Sequence, residues 1–404
     1  MLNDNLNKMN NPADSLVLYI LRNTIEEKDG FKIKDIIAGG IIDWARFKDL
    51  IICHEIVVIA YLGLKPYFSL LPLKLAEFLR DRYYANIVRC QRLQQAFLGI
   101  TEASNRLGIS VVPIKGVALL EDIYKGRNLR QMADIDILVK ENDFSKLEGV
   151  LYGLGYKKEL GGLKEGYWKK SQCHISFLKK ESGNITLFID AHWALDFKRK
   201  NRVLLPKLWD RVRKLDFQGR NIEVLSPEDT FISLAMHNRR FGRVLGFKNI
   251  CDSALLLDKY ASCFDWSYVL EESRKSKFCS TVFFALCCVK ILFSAHIPDF
   301  VWKELKVGRW KRLITTRFIE RNIYYPVDFT QDKDIYLKAH FLLYDSILEP
   351  ITYILNIPQE QFAKFYNLVQ YNRITGFFYR CRFLYIPFKA IFFKNKNGAL
   401  RHSK

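Results

Sequence analysis

The sequence predicts an α+β fold, in which a mixed β-sheet with helices is flanked by N- and C-terminal helical regions. Residues 109–139 alternate between strand and helix signals, and residues 174–190 contain two alternating runs typical of a β-hairpin. On both sides of this segment, apolar residues recur at helical spacing. Of the 404 residues, 49% are hydrophobic, which is enough to bury a large core. The chain is therefore a folded protein.

The first part of the chain is predicted to be helical. A Pro-Ala-Asp-Ser start signal precedes the apolar residues 16–21, and residues 42–62 and 73–107 carry apolar side chains at helical spacing. The last of these helices leads into the first strand of the sheet. We expect it to pack on that sheet.

A predicted strand, turn and helix follow. Residues 109–114 are rich in Ile and Val, as buried strands are, and they end at Lys115 and Gly116. Glycine allows the backbone to turn here and to approach a ligand closely. A Lys-Gly turn before the helix predicted over 117–124 favours phosphate, because backbone N–H groups, the helix dipole and an ammonium group all attract anions.

Two aspartates mark the next predicted strand, residues 133–139. Since side chains alternate along a strand, Asp134 and Asp136 lie on the same face. Adjacent carboxylates repel each other, and Mg²⁺ or Mn²⁺ bound to their oxygens would offset that repulsion. The alternative is an exposed strand end with two solvated aspartates.

The predicted hairpin supplies a third carboxylate. Its runs are residues 174–178 and 185–190, and the second run ends at Asp190. If this strand lies beside the one that carries Asp134 and Asp136, the three carboxylates are able to hold two cations that orient a displacement at phosphorus. The alternative for Asp190 is a strand-end residue that caps a turn.

Other segments around the hairpin carry weaker signals. A helix is predicted over 144–154, and residues 162–172 are expected to form a loop or a short strand. His174 and His192 lie near strand ends, where a hydrogen-bonded structural histidine is more common than a ligand.

A further helix is predicted from Ser226 to about Arg240, because Ser-Pro is a helix start signal. His237 lies near its C-terminal end. It is a candidate for contact with a base or ribose, but cations are also favoured at helix C-termini for structural reasons. In the helical residues 249–257 that follow, Asp252 is a candidate partner for Lys248 at i,i+4 spacing.

The central stretch as a whole resembles the nucleotidyltransferase superfamily of the DNA polymerase beta type, and more closely a bacterial family of uncharacterised nucleotidyltransferases. The pattern of that family is an apolar strand, Lys-Gly, a helix ending near Tyr, an Arg, and Asp-Ile-Asp. The resemblance covers roughly residues 95–260. It is carried by Lys115, Gly116, Tyr124, Arg130, Asp134, Asp136, Gly155, Tyr156, Asp190, His192, Trp193, Ser226, Asp229 and His237.

The resemblance implies a nucleotidyltransferase-type mixed sheet and the transfer of a nucleoside monophosphate from an NTP to an unidentified acceptor, with release of pyrophosphate. It implies that Asp134, Asp136 and Asp190 are catalytic and bind Mg²⁺ or Mn²⁺. The residues expected to bind the substrate are Lys115, Gly116, Arg130 and His237.

One departure from the superfamily supports a second interpretation. Gly116 is followed by Val117, where the usual residue is Ser or Gly, so no hydroxyl is available to a phosphate there. The alternative is a non-catalytic nucleotide-binding protein, or a membrane-associated accessory protein of cell-surface polymer synthesis, that keeps the fold. The three intact aspartates favour the enzyme.

Four regions follow from these interpretations. They are an N-terminal helical region (1–95), a nucleotidyltransferase catalytic domain (96–225), a helical domain that closes the site (226–300) and a basic helical C-terminal region (301–404).

The chain is strongly basic, with a net charge of +20 from 63 Lys and Arg against 43 Asp and Glu. Such a charge attracts nucleotides, nucleic acid or an acidic membrane surface. From Gln361 onward there are nine Lys and Arg and no carboxylate side chain, with aromatic residues interspersed over 376–396. We expect these aromatics to cover either the protein's own helices or an anionic lipid surface.

The sequence predicts a cytoplasmic protein, with peripheral membrane contact through the basic tail. No stretch reaches 18 apolar residues, and the polar start lacks the apolar core of a signal peptide. The cysteines number nine and include no C-x-x-C pair. This pattern favours reduced structural thiols over disulfides or zinc ligands.

Overall fold

The computed structural model shows the α+β architecture with a mixed sheet that the sequence predicts. It describes residues 11–26, 30–39, 41–124, 130–161, 165–181, 185–196, 207–239, 243–293, 295–324, 327–328, 333–356, 374, 376–378 and 381. Most of the basic tail, as well as Arg240, lies outside the described residues.

The N-terminal region is helical, as predicted. Its helices are α1 (Pro12–Glu26), α2 (Gly30–Gly39), α3 (Trp44–Cys53), α4 (Val57–Leu64) and α5 (Leu73–Asn105), with a 3-10 helix at Lys65–Leu70 between α4 and α5. Most of residues 42–62 is helical, as the apolar spacing predicts, but it is divided between α3 and α4. Glu55 separates α3 from α4 with a φ of +56°, a left-handed conformation that an α-helix does not contain.

The central region contains the sheet. Its elements are β1 (Val112–Pro113), α6 (Val117–Asp122), β2 (Ile135–Leu138), α7 (Phe144–Gly153), β3 (Lys157–Glu159), α8 (Glu165–Ser171), β4 (His174–Lys180), β5 (Thr186–His192), β6 (Arg213–Phe217) and β7 (Arg220–Val224). Residues 165–171 are helical, so the loop or strand predicted there is wrong. The predicted hairpin is confirmed, since β4 and β5 pair antiparallel.

The five-stranded sheet has the order β1-β2-β5-β4-β3. β2 and β5 are parallel, and the other neighbouring strands are antiparallel. One face of the sheet packs on α5 and α7 through a buried apolar cluster that includes Phe97, Leu147, Ile137 and Phe177. Because side chains alternate along each strand, Asp136 of β2, Ser176 of β4 and Asp190 of β5 project from the opposite face.

The rest of the chain is mainly helical. Its elements are α9 (Pro227–His237), β8 (Arg243–Val244), α10 (Phe247–Lys259), α11 (Trp266–Lys275), α12 (Cys279–Phe293), α13 (Asp299–Glu304), α14 (Arg309–Asn322), β9 (Val327–Asp328), α15 (Lys333–Leu343) and α16 (Leu348–Leu355). Ser226 caps α9 as predicted, since its side-chain oxygen accepts the N–H of Asp229 at 3.1 Å.

A second buried core joins the N-terminal helices to the helices that follow the sheet. It packs Leu16 of α1 and Phe47 of α3 with Phe231 of α9 and Phe247 of α10. In α12, every residue except Lys290 is buried. The N- and C-terminal helices therefore share one core beside the sheet.

Two further sequence features are visible in the described residues. The cysteines form no disulfide within that part of the chain. Among its helices, none combines the length and the apolar character needed to cross a bilayer.

Candidate active site

Three carboxylates meet on the polar face of the sheet. Asp136 and Asp190 are directly opposite each other on the parallel strands β2 and β5. Asp134 lies one residue before β2, on the same side as Asp136. Asp136 is buried, whereas Asp134 and Asp190 are half-buried. The neighbouring strands that the three-carboxylate arrangement requires are therefore present.

Asp134 carries an electrostatic cost in this arrangement. Its pKa is raised to about 6, first by burial and then by the nearby Asp136 and Asp190, while Lys115 and Lys248 act against this shift. Desolvation and like charge both disfavour the ionised carboxylate. The site is therefore short of positive charge.

Lys115 follows β1 and reaches the same face. Its Nζ lies 3.1 Å from Oδ2 of Asp136, and its side chain is 16% exposed. The ammonium group thus lies beside the Asp136 carboxylate.

Gly116 makes the turn between Lys115 and α6. Its φ of +58° and ψ of −101° are strained for any residue with a Cβ. A Cβ added here would lie 3.4 Å from Sδ of Met132 and 3.7 Å from Nη1 of Arg130. Position 116 therefore requires glycine. The backbone at this position passes close to the Arg130 guanidinium.

Arg130 is buried behind this turn and directed toward α10. Its Nε lies 3.0 Å from both carboxylate oxygens of Asp252, and the hydroxyl of Tyr124 donates to Asp252 Oδ1 at 2.8 Å. The structure therefore gives Arg130 a buried protein carboxylate as its partner. The expected pairing of Asp252 with Lys248 is wrong, because Lys248 forms its ion pair with Glu55.

Two polar residues hold the site carboxylates in place. His192 is fully buried, and its Nε2 lies 3.2 Å from Oδ1 of Asp136. The hydroxyl of Ser176 on β4 donates to Oδ1 of Asp190 at 2.6 Å. Ser176 was not among the predicted site residues, although its position two residues after His174 places it on the same strand face.

His237 is the last residue of α9 and is half-buried. Its contact with a base or ribose stays a prediction. Lys248 of α10 was not predicted as a site residue, although its charge acts on Asp134. Its effect arises from the packing of α10 near the sheet, which periodicity alone does not show.

The residues present fit a divalent cation. One oxygen each from Asp136 and Asp190 and one ring nitrogen of His192 lie within 4.8 Å of one another. Carboxylate oxygens suit Mg²⁺ and Mn²⁺, and the raised pKa of Asp134 indicates that added positive charge would relieve the site.

A family model described as "Uncharacterised nucleotidyltransferase" matches residues 41–294, which is more than half of the chain. The chain belongs to this family. It is therefore a transferase of nucleotidyl groups, as the sequence predicts. Comparison with curated proteins and with solved structures gave no match.

The segment matched by this nucleotidyltransferase family extends beyond the sheet. It begins just before α3 and ends just after α12, so it includes parts of both buried cores. All the candidate site residues lie within it. The helices that pack around the sheet are thus part of the family's shared unit.

Proposed function

We propose that the protein transfers a nucleoside monophosphate from an NTP to an acceptor hydroxyl or phosphate, with release of pyrophosphate and dependence on Mg²⁺ or Mn²⁺. The observation that carries this proposal is the pairing of Asp136 with Asp190 on adjacent parallel strands, with Asp134 beside them. When bound, the cations would neutralise phosphate charge and align the attacking and leaving groups.

The three aspartates would hold the cations, and Asp190 has a second role. The Ser176 hydroxyl binds Oδ1 of Asp190 and fixes the orientation of the carboxylate. The other oxygen of Asp190 would then accept the proton of the acceptor hydroxyl. This proton transfer requires Asp190 to be ionised.

Lys115 and the Gly116 amide would face the triphosphate. The Lys115 ammonium already lies beside Asp136, so a phosphate oxygen that enters next to that carboxylate would meet it directly. Arg130 would add positive charge from behind the turn, because its Nη1 lies near Gly116. His237 would contact the base or ribose from the helical region.

A second proposal concerns location. Phe377 and Phe378 are 64% and 67% exposed, and they lie in a tail whose charged side chains are all basic. Exposed aromatics among basic residues fit an anionic membrane surface, where the rings enter the headgroup boundary. We propose a cytoplasmic enzyme with peripheral membrane contact through this tail.

The test of the catalytic proposal uses each of the four α-labelled NTPs with Mg²⁺ or Mn²⁺. We expect pyrophosphate release, or labelling of the protein or a partner, with the wild type and not with Asp136→Asn. Asp143→Asn, which changes a half-buried carboxylate paired with Lys146 outside the site, is the matched control. Calorimetry gives a second readout, since equal affinity of wild type and Asp136→Asn for Mg²⁺–NTP would remove the assignment.

A further inference from the structure

A second group of metal-binding side chains adjoins the carboxylates. Cys173 lies immediately before β4, and its carbonyl accepts the backbone N–H of Trp193 at 3.0 Å, which ties it to the end of β5. His174 and His192 are directly opposite each other on these two strands, with ring centroids 4.7 Å apart. The Cys173 sulfur and one ring nitrogen of each histidine lie within 4.8 Å of one another.

The donor types differ from those of the carboxylate site. A thiolate and two imidazoles are typical ligands of Zn²⁺, whereas Mg²⁺ prefers oxygen. With a Zn–S bond of about 2.3 Å and a Zn–N bond of about 2.05 Å, tetrahedral geometry separates sulfur from nitrogen by about 3.6 Å. The distance from Cys173 Sγ to His174 Nδ1 is 3.6 Å. The two side chains therefore already have the spacing of ligands to one ion.

We propose that Cys173, His174 and His192 form a zinc site beside the catalytic carboxylates. Cys173 and His192 are fully buried, and the half-exposed His174 provides the side from which the ion enters. Binding converts the Cys173 thiol to a thiolate and releases its proton to solvent. For Cys173, this proposal departs from the sequence-based expectation of a purely structural thiol.

The shared histidine links this zinc site to the catalytic site. A metal-bound histidine commonly donates its other ring N–H to a carboxylate, which fixes the orientation of both groups. Nε2 of His192 lies 3.2 Å from Oδ1 of Asp136. Zinc on His192 would therefore fix the position of the Asp136 carboxylate, without replacing the cation that the aspartates hold.

Co²⁺ is the probe, because it occupies zinc sites and absorbs light. Titration of the full-length apo protein should give one equivalent of tetrahedral Co²⁺, with a visible absorption and a near-ultraviolet thiolate-to-cobalt band. Excess Mg²⁺ should leave both bands in place, and Zn²⁺ should abolish them. The thiolate band should be lost in Cys173→Ser and kept in Cys90→Ser, a matched control with an equally buried thiol.

The zinc proposal would be overturned if the wild-type protein showed no thiolate-to-cobalt band. It would also be overturned if that band persisted in Cys173→Ser. If Cys173→Ser does not fold, His174→Gln replaces it, because His174 is half-exposed and its substitution disturbs the core less. An unchanged Co²⁺ spectrum in His174→Gln would likewise overturn the zinc site. Asp190→Asn separates the two sites: it should lose nucleotidyl transfer and keep the Co²⁺ bands. The zinc proposal therefore stands or fails independently of the transfer reaction.

Discussion

At the scale of single residues, Asp134 and Asp136 show how position decides the chemistry of a carboxylate. They are two residues apart, yet Asp136 has the Lys115 ammonium at 3.1 Å and the His192 ring at 3.2 Å. Asp134 instead has its pKa raised to about 6 by burial and by Asp136. In the absence of a metal ion, the negative charge that lacks a nearby cation is therefore mainly that of Asp134.

Replacing Asp134 with Asn should stabilise the apo protein near neutral pH. A carboxyl whose pKa is higher when folded favours the folded state while it is protonated, and this contribution is lost as the pH rises from about 4 to about 6. We expect Asp134→Asn to be more stable by about 1–3 kcal/mol at pH 7 and equal to wild type below about pH 4. Urea unfolding of both proteins between about pH 4 and pH 7 tests this prediction. An unfolding free energy that depends on pH in the same way in both proteins would contradict it.

Lys115→Ala should weaken NTP binding more than NMP binding. If the ammonium meets the triphosphate, the loss for NTP is on the order of 1–3 kcal/mol, as for a charge-assisted hydrogen bond. Calorimetry with both ligands measures the difference. Lys179→Ala is the control, because that ammonium lies over the Tyr156 ring. An equal loss for NTP and NMP would assign Lys115 to the fold.

At the scale of elements, the turn before α6 depends on a backbone conformation that only glycine adopts easily. Gly116→Ala places a Cβ at φ +58° and next to Met132, which should cost about 1–3 kcal/mol and weaken nucleotide binding. Gly99→Ala in α5 meets no atom within 4 Å and should instead stabilise the protein by about 0.5–1 kcal/mol. Chemical unfolding of both variants measures the two changes in stability, which should have opposite signs. Changes of the same sign would contradict the prediction.

A buried ion pair connects the loop before β2 to α10. Arg130→Ala leaves Asp252 buried without its guanidinium, which should cost about 3–5 kcal/mol. The double variant Arg130→Met, Asp252→Leu should regain most of that stability, because apolar groups often replace a buried ion pair without loss. Unfolding free energies of the three proteins measure the effect. A single variant that loses only nucleotide affinity would show that Arg130 serves the ligand alone.

At the scale of the whole molecule, the N-terminal helices and the helices after the sheet share a core, while Phe377 and Phe378 of the basic tail are exposed to solvent. Leu16 near the start packs in the same cluster as Phe284 of α12. In the described part of the tail, Ile374, Phe377 and Phe378 are all exposed. These three side chains contribute little to folding through burial.

If the tail contacts lipid as proposed, truncation after Gly376 should reduce sedimentation with acidic liposomes and leave the melting temperature nearly unchanged. Basic side chains near an anionic surface contribute about 1 kcal/mol each, and the rings add apolar burial. Neutral liposomes and the variant Phe377→Ser, Phe378→Ser are the controls. A lower melting temperature with unchanged sedimentation would show that the tail packs on the protein, and no change in either would exclude both roles.

Local pattern was enough to predict much of the architecture. The hairpin of β4 and β5, the long helix α5 and the Ser226 cap of α9 are all encoded in short stretches of sequence. Residues 165–171 are helical although they were expected to be a loop or strand, because such a short segment has too few residues for a clear period. The predicted roles of the site residues await the variants above.

The sequence by itself determined which face of each strand carries the acidic residues, because alternation is a local property of an extended chain. Only the tertiary structure decided which strands are neighbours. It placed Asp190 opposite Asp136, paired Arg130 with Asp252, and brought Cys173 together with His174 and His192. The partner of a buried charge or a metal ligand lies on a distant segment, and spacing along the chain does not specify which segments pack together.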